Sequence, residues 1–223
     1  KEIWNFVKRG EDDKLGGGIY WCEQKKESKK TCSNAPASVF ALKLFMATND
    51  RSYLQEGERL YEWTKRNLQD PEDKLYWDNM QLNGKIGKAK FSYNAGQMLQ
   101  AAALLYKLTK NNRYLADAQQ MAEACFGYFF ETEEKLNFPK LKNSNLWFHA
   151  VMMRGYIELA VVNGDQKYLT VFAKNLEFAW QHMRDKEGLF SADWTLKDQH
   201  KSKWLLDQCA FVEMYARLAK AGY

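Results

Sequence analysis

Hydrophobic positions recur at three- and four-residue spacing along most of the chain, in two alternating styles. In "NDRSYLQEGERLYEW" (49–63), "NNRYLADAQQMAEAC" (111–125) and "GDQKYLTVFAKNLEFAW" (164–180), a polar turn opens onto a Tyr-Leu pair and then a helix with one apolar stripe and one charged face. A one-sided stripe predicts helices on the outside of the molecule. The stretches ahead of them, 34–48, 92–109 and 146–162, with a fourth over 203–220, carry few charges and many small residues, as in "YNAGQMLQAAALLY" (93–106). Helices apolar most of the way round are buried on several sides. Asp50, Asn111 or Asn112, and Asp165 stand where outer-helix N-caps are needed. The pairs Tyr53-Leu54, Tyr114-Leu115 and Tyr168-Leu169 return about every 55–60 residues, which marks an αα-hairpin as the repeating unit. No period-two alternation is long enough for a sheet, so the expected fold class is all-α.

The returns from outer to inner helix repeat as well. They read "EDDKLGGGIYW" (11–21), "EDKLYWDNM" (72–80), "EEKLNFPKL" (133–141) and "DKEGLFSADW" (185–194). In each, an acidic-Lys element leads to a leucine (Leu15, Leu75, Leu136, Leu189) and then to aromatics. Every copy joins an outer helix to an inner one, so all four lie at the same end of the assembly. Hairpins of this length, stacked laterally and closed on themselves, make an α/α toroid with one rim of long loops around a central depression. The leucines are expected to pack, and Tyr76 and Phe138 to plug the ring. Tyr20-Trp21 and Trp77-Asp78 are expected to face a ligand, with Gly16, Gly17 and Gly18 letting backbone come close to it.

Composition narrows the chemistry. The chain has 223 residues, 46% of them hydrophobic and 15% aromatic, with a net charge of +5. Its lysines are scattered apart from "KKESKK" (25–30), which reads as a solvated loop rather than a nucleic-acid patch. No stretch approaches a membrane span, and no signal peptide is visible. The chain opens inside "KEIWNFVKR", itself an amphipathic helix, and is read as a fragment of something longer, a single domain over 1–223 that lacks its N-terminal helices. Cys125 and Cys209 lie in apolar helical patterns as core thiols, while a Cys22–Cys32 disulfide is left open. His149, His182 and His200 are scattered, no zinc spacing is present, and no metal is expected. Phosphate loops, GxSxG, HExxH and EF-hand series are absent, so no cofactor is expected. What remains is aromatics interleaved with Asp, Asn, Gln and Tyr, a set that suits the C–H faces and hydroxyl fringe of a carbohydrate.

"GGGIYW" followed by "SNAPASVFALKLF", then "SYNAGQMLQAAALLY", "WFHAVMMRGYIEL" and "LLDQCAFVEMYARLA", resembles glycoside hydrolase family 76 over essentially the whole chain. The resemblance implies an (α/α)6 toroid, an endo-acting α-1,6-mannanase-like activity with retention, an α-mannan or mannooligosaccharide partner, and a place outside the cytoplasm: extracellular, cell-surface or periplasmic. It implies that Tyr20, Trp21, Asn34, Asp78, Tyr93, Asn94, Trp147, Phe148 and Arg154 hold substrate, Arg154 being equally suited to a buried ion pair. Met152 and Met153 are core. The family's signature is a pair of adjacent aspartates at an inner helix, ahead of the Gly-rich loop. The one such pair here, Asp12-Asp13, sits inside the first rim loop and reads as a solvated turn. The catalytic pair is therefore expected before residue 1, and no catalytic residue within the chain. The alternatives are a non-catalytic glycan-binding toroid, or another α/α-toroid sugar enzyme such as an epimerase or unsaturated-uronide hydrolase.

Overall fold

The computed structural model describes residues 2–198 and 203–223. Four inner helices, α2 (Thr31–Thr48), α4 (Ser92–Thr109), α6 (Leu146–Asn163) and α8 (Leu205–Lys220), stand side by side in chain order. The outer helices α1 (Glu2–Arg9), α3 (Arg51–Leu68), α5 (Asn112–Phe129) and α7 (Lys167–His182) alternate with them. The fold is that of an α/α toroid, as the hairpin pattern predicts. α2, α4 and α6 are each 18 residues long, as are α3 and α5. At 1.5 Å per residue these helices span about 27 Å, so their ends stay level.

The close side-by-side packing of inner helices comes from glycine. A Cβ at Gly96 of α4 would lie 2.3 Å from the Met152 Cα of α6, and one at Gly155 would lie 2.4 Å from the Gly96 carbonyl oxygen. The two backbones touch at a point where no larger residue fits. The core that results is continuous, running through Leu99, Leu104, Met152, Met153, Tyr156 and Phe172. A smaller cluster around Trp4, Ile19, Ala41 and Leu60 seats α1 on α2 and α3.

Each inner-to-outer turn is built alike. Asn49, Lys110 and Gly164 close their helices in the left-handed region, at φ 57°, 59° and 74°, donating back to the carbonyl four residues earlier. The next residue then caps the following helix in two of them, Asp50 accepting from the Ser52 amide and Asn111 from Arg113; in the third the N-cap is Gln166, with no side-chain bond, and Asp165 just ahead of it accepts from the Lys167 amide.

The returns at the other end differ from expectation, because they contain strands. β1 (Ser28–Lys30), β2 (Trp77–Gln81) and β3 (Ile86–Lys90) form an antiparallel sheet in that order, and β4 (Phe130–Glu131) pairs with β5 (Lys140–Leu141). These strands are two to five residues long, and β2 and β3 are half-buried or exposed throughout, so they show no alternation to read. Asn83-Gly84, with Gly84 at φ +83°, turns the β2–β3 hairpin and was its one available signal. Every return also closes on an antiparallel pairing: Glu11 with Ile19, Gln69 with Tyr76, Phe130 with Leu141, and Arg184 with Phe190. Tyr76 is a buried plug as expected, whereas Phe138 is only half-buried. Of the four leucines Leu75 alone is fully packed; Leu15 and Leu136 are half-buried and Leu189 is exposed. Cys209 is exposed on α8 rather than core, Cys125 is buried, and Cys22 and Cys32 are free thiols. No described helix is long and apolar enough to cross a membrane.

Candidate functional site

The first rim loop is organised around a buried ammonium. Lys29 is fully buried, and its Nζ donates to Asp12 Oδ1 (2.8 Å) and to the carbonyls of Asp12 (3.0 Å), Lys14 (2.7 Å) and Gly17 (2.7 Å). To bring those carbonyls to one point the backbone must turn through the left-handed region four times in a row, at Leu15 (φ +58°), Gly16 (+71°), Gly17 (+107°) and Gly18 (+81°). The glycines therefore serve the lysine and a neighbouring ring. A Cβ at Gly18 would lie 2.7 Å from the Trp63 ring, and the Trp63 indole donates to the Leu15 carbonyl at 3.0 Å. This corrects two expectations: "KKESKK" is not wholly solvated, and Asp12 is not a free turn residue. Burial alone would raise the Asp12 carboxyl, but the hydrogen bonds from Lys29 and Tyr20 outweigh it and hold the group below its usual range.

Tyr20 and Asn34, expected to hold substrate, belong to this clamp. Tyr20 is 3% exposed, donates its hydroxyl to Asp12 Oδ2 at 3.0 Å, and lies with its ring 4.8 Å from the Lys29 ammonium. Burial, then the Asp12 carboxylate, pushes its phenol up to about 12. Asn34 is fully buried: its Oδ1 accepts from the Ile19 amide (2.7 Å), and its Nδ2 donates to the carbonyls of Ile19 (3.0 Å) and Lys30 (2.8 Å). Both face inward because the rim loop folds down over the start of α2 and leaves its own amides in need of partners.

The remaining rim residues form a strip across the first turns of α2, α4 and α6. Trp21, 63% exposed, has the Lys30 ammonium 4.6 Å from its ring centre. The same ammonium is 3.6 Å from Asp78 Oδ2 on β2, which also accepts from Asn79 at 2.8 Å. Tyr93 follows, its hydroxyl hydrogen-bonded to the Cys32 thiol, with Asp78 close enough to act on both electrostatically. Burial first, then the charge of Asp78, raises the Cys32 thiol; burial first, then Cys32 and Asp78, raises the Tyr93 phenol. Tyr93 then packs on Phe148 at 4.2 Å, on Phe91 at 5.7 Å and on Trp147 at 6.4 Å between ring centres. Beneath lies a cavity of about 270 Å³ bounded by Cys32 and Pro36 of α2, Tyr93 and Gln97 of α4, and Trp147, Phe148 and Val151 of α6.

So Trp21, Asp78, Tyr93, Trp147 and Phe148 are brought together as expected, whereas Tyr20, Asn34, Asn94 and Arg154 are not. Asn94 is fully buried, its amide meeting no hydrogen-bond partner among the described residues. Arg154 lies two turns down α6 and forms a two-pronged pair with Glu213 of α8, at 2.6 and 2.7 Å, the ion pair that was its other reading, and it stands apart from the strip. Lys30, Cys32 and Gln97 were not foreseen. Lys30 was hidden in a charge run, and Gln97 stood in the quoted "SYNAGQ" one turn after Tyr93. Chemically, the strip offers flat apolar faces beside one carboxylate and one ammonium. Among the described residues no cluster of three His, Cys, Asp or Glu could hold a metal.

The chain matches the family model for glycosyl hydrolase family 76 over residues 1–221. A family 76 glycoside hydrolase from a bovine Bacteroides thetaiotaomicron strain superposes with a TM-score of 0.93 at 35% identity, over 99% of this chain and 50% of that one. An inactive variant of the α-1,6-mannanase of Salegentibacter sp. HEL1_6, with two adjacent aspartates changed to alanine and α-1,6-mannotetraose bound, superposes with a TM-score of 0.81 at 29% identity, over 97% of this chain and 67% of that one. In sequence, the mannan endo-1,6-alpha-mannosidase DCW1 of Candida glabrata is 26% identical over 110 residues, 45% of this chain and 25% of that protein. The chain thus spans half the length of the first structure and a quarter of the fungal relative.

Proposed function

The chain belongs to glycosyl hydrolase family 76, and from that premise we propose that the protein carrying it hydrolyses α-1,6-linked mannan, this segment supplying the substrate-holding wall of the cleft. The observation that carries the reading is the strip Trp21–Lys30–Asp78–Tyr93–Trp147–Phe148 above a cavity where three inner helices begin. Aromatic faces take the C–H faces of sugar rings, while Asp78 accepts and Lys30 donates hydroxyl hydrogen bonds. Similarity to an α-1,6-mannanase and to an endo-1,6-α-mannosidase supports the α-1,6 linkage in this reading.

Retaining hydrolysis requires two carboxyl groups about 5–5.5 Å apart, one attacking and one protonating the leaving oxygen. The strip has one carboxylate, Asp78, and of the adjacent pair Asp12-Asp13 the first is bound to Lys29 and Tyr20. We propose that the reacting pair is supplied by another part of the protein; the inactivity of the mannanase variant that lost two adjacent aspartates supports this reading. The test is release of reducing ends from α-1,6-mannan by the full-length protein, with calorimetric binding of α-1,6-mannotetraose by the Asp78→Ala and Trp147→Ala variants. Loss of affinity in both is expected; cleavage and binding that ignore both substitutions would overturn the reading.

A further inference from the structure

Gln97 sits on α4 one turn beyond Tyr93, and its side chain forms part of the cavity wall. Its Oε1 is enclosed yet accepts nothing, and no described residue hydrogen-bonds either atom of the amide. Enclosed polar atoms are nearly always paired, so an idle one asks for an explanation. The neighbours give it no partner. Pro36, Phe148 and Val151 are apolar, and Cys32, Tyr93 and Trp147 make no hydrogen bond to it. Two other side-chain amides of the inner helices are employed: Asn34 clamps Ile19 and Lys30, and Gln208 exchanges two hydrogen bonds with the Phe190 backbone at 2.9 Å each. Asn94 on α4 is idle as well, but it does not line the cavity.

We propose that Gln97 is a substrate-contacting specificity residue whose amide reads two adjacent hydroxyls of a single glycosyl unit seated in the cavity. The inference rests on the mannan reading above and adds to it the group that recognises one ring. No hydrogen bond opposes a turn about the amide's last torsion, a soft one, and such a turn brings the enclosed Oε1 round to the cavity. One edge of an amide presents an acceptor beside a donor, and two adjacent ring hydroxyls present the complementary pair. Trp147 and Phe148, which line the same cavity from α6, receive the ring's C–H face. At about 270 Å³ the cavity lies just under the range of pockets that enclose larger ligands, so it takes one ring rather than a run of them.

The experiment uses the full-length protein and α-1,6-mannotetraose, together with its monodeoxy analogues. Gln97→Met keeps the side chain's length and removes both polar atoms. Its affinity for mannotetraose should fall about ten- to hundredfold, because a desolvated hydroxyl pair is left unpaired. Its melting temperature should hold or rise, since an idle enclosed oxygen is gone. The wild type should discriminate against one or two monodeoxy analogues, and Gln97→Met should lose that discrimination, which a purely structural role would not change. Gln97→Leu, which also removes both polar atoms, gives the same comparison if the methionine variant folds poorly. Unchanged affinity and unchanged discrimination in a folded variant would overturn the proposal while the mannan reading stands. A wild type that binds no mannotetraose would overturn both.

Discussion

Lys29→Met tests whether the Gly-rich loop is held from below by one ammonium. The native group is wholly enclosed, with four acceptors between 2.7 and 3.0 Å. Removing one member of a buried charge pair typically costs about 3–5 kcal/mol, because the partner is left charged and unpaired. Here the partner is less enclosed, with the Asp12 side chain 29% exposed, so water can recover part of the loss. Three carbonyls also lose their donor. The expected cost is therefore about 2–4 kcal/mol, a fall in melting temperature of roughly 5–15 °C for a domain of this size. The pH profile gives a second handle. The folded Asp12 carboxyl lies below its unfolded value, so its stabilising share is complete above about pH 4 and disappears as pH falls through the lower folded value. The variant should lack this acid-side loss, and mannotetraose affinity should drop with the displacement of Trp21 and Lys30. Thermal and urea melts from pH 2.5 to 7 are the assay. A shift under about 2 °C with an unchanged acid limb would show that the ammonium is dispensable and that the glycines hold the loop unaided.

That loop also shows how far a sequence carries. The hairpins, two of their caps and the common rim were legible because each rests on local rules that repeat along the chain, namely periodicity and a capping side chain; the left-handed residues that close the inner helices were not read. Tyr93, Trp147 and Phe148 were legible for a related reason, since first-turn residues of inner helices must face the mouth wherever the neighbouring helices stand. Lys29 was not, because a lysine inside "KKESKK" is buried only by carbonyls that lie 12 to 17 residues earlier in the chain. Asn34 was misplaced by the same blindness: a polar residue at the mouth of an inner helix serves a ligand or an overlying loop equally well until the loop's path is known. Arg154 found its counter-charge in Glu213, 59 residues away. Long-range polar pairing was the missing information throughout, and residue spacing does not contain it.

Trp21→Ala should lower mannotetraose affinity about tenfold or more while costing under about 1 kcal/mol of stability, because the ring is mostly exposed and its one strong contact is the Lys30 ammonium; calorimetry and a thermal melt check both halves. His149 is fully buried with its Nε2 at 2.9 Å from the Lys142 carbonyl, and burial holds its imidazole down to about 4. Its neutral form favours folding fully above the unfolded value near 6.5 and progressively less as pH falls toward 4, so about 3 kcal/mol should drain from the wild type over that window and less from His149→Gln. Cys32 offers a native reporter of occupancy, being half-buried in the cavity wall with its thiol raised by burial and by Asp78, whereas Cys209 stands exposed on α8. Maleimide at mildly alkaline pH should label Cys209 first and Cys32 slowly. Mannotetraose at ten times its Kd should then slow Cys32 alone by about tenfold, since only the ligand-free fraction reacts. Equal labelling of Cys32 with and without ligand, in a protein that binds mannotetraose by calorimetry, would place the glycan somewhere other than the mouth of α2, α4 and α6.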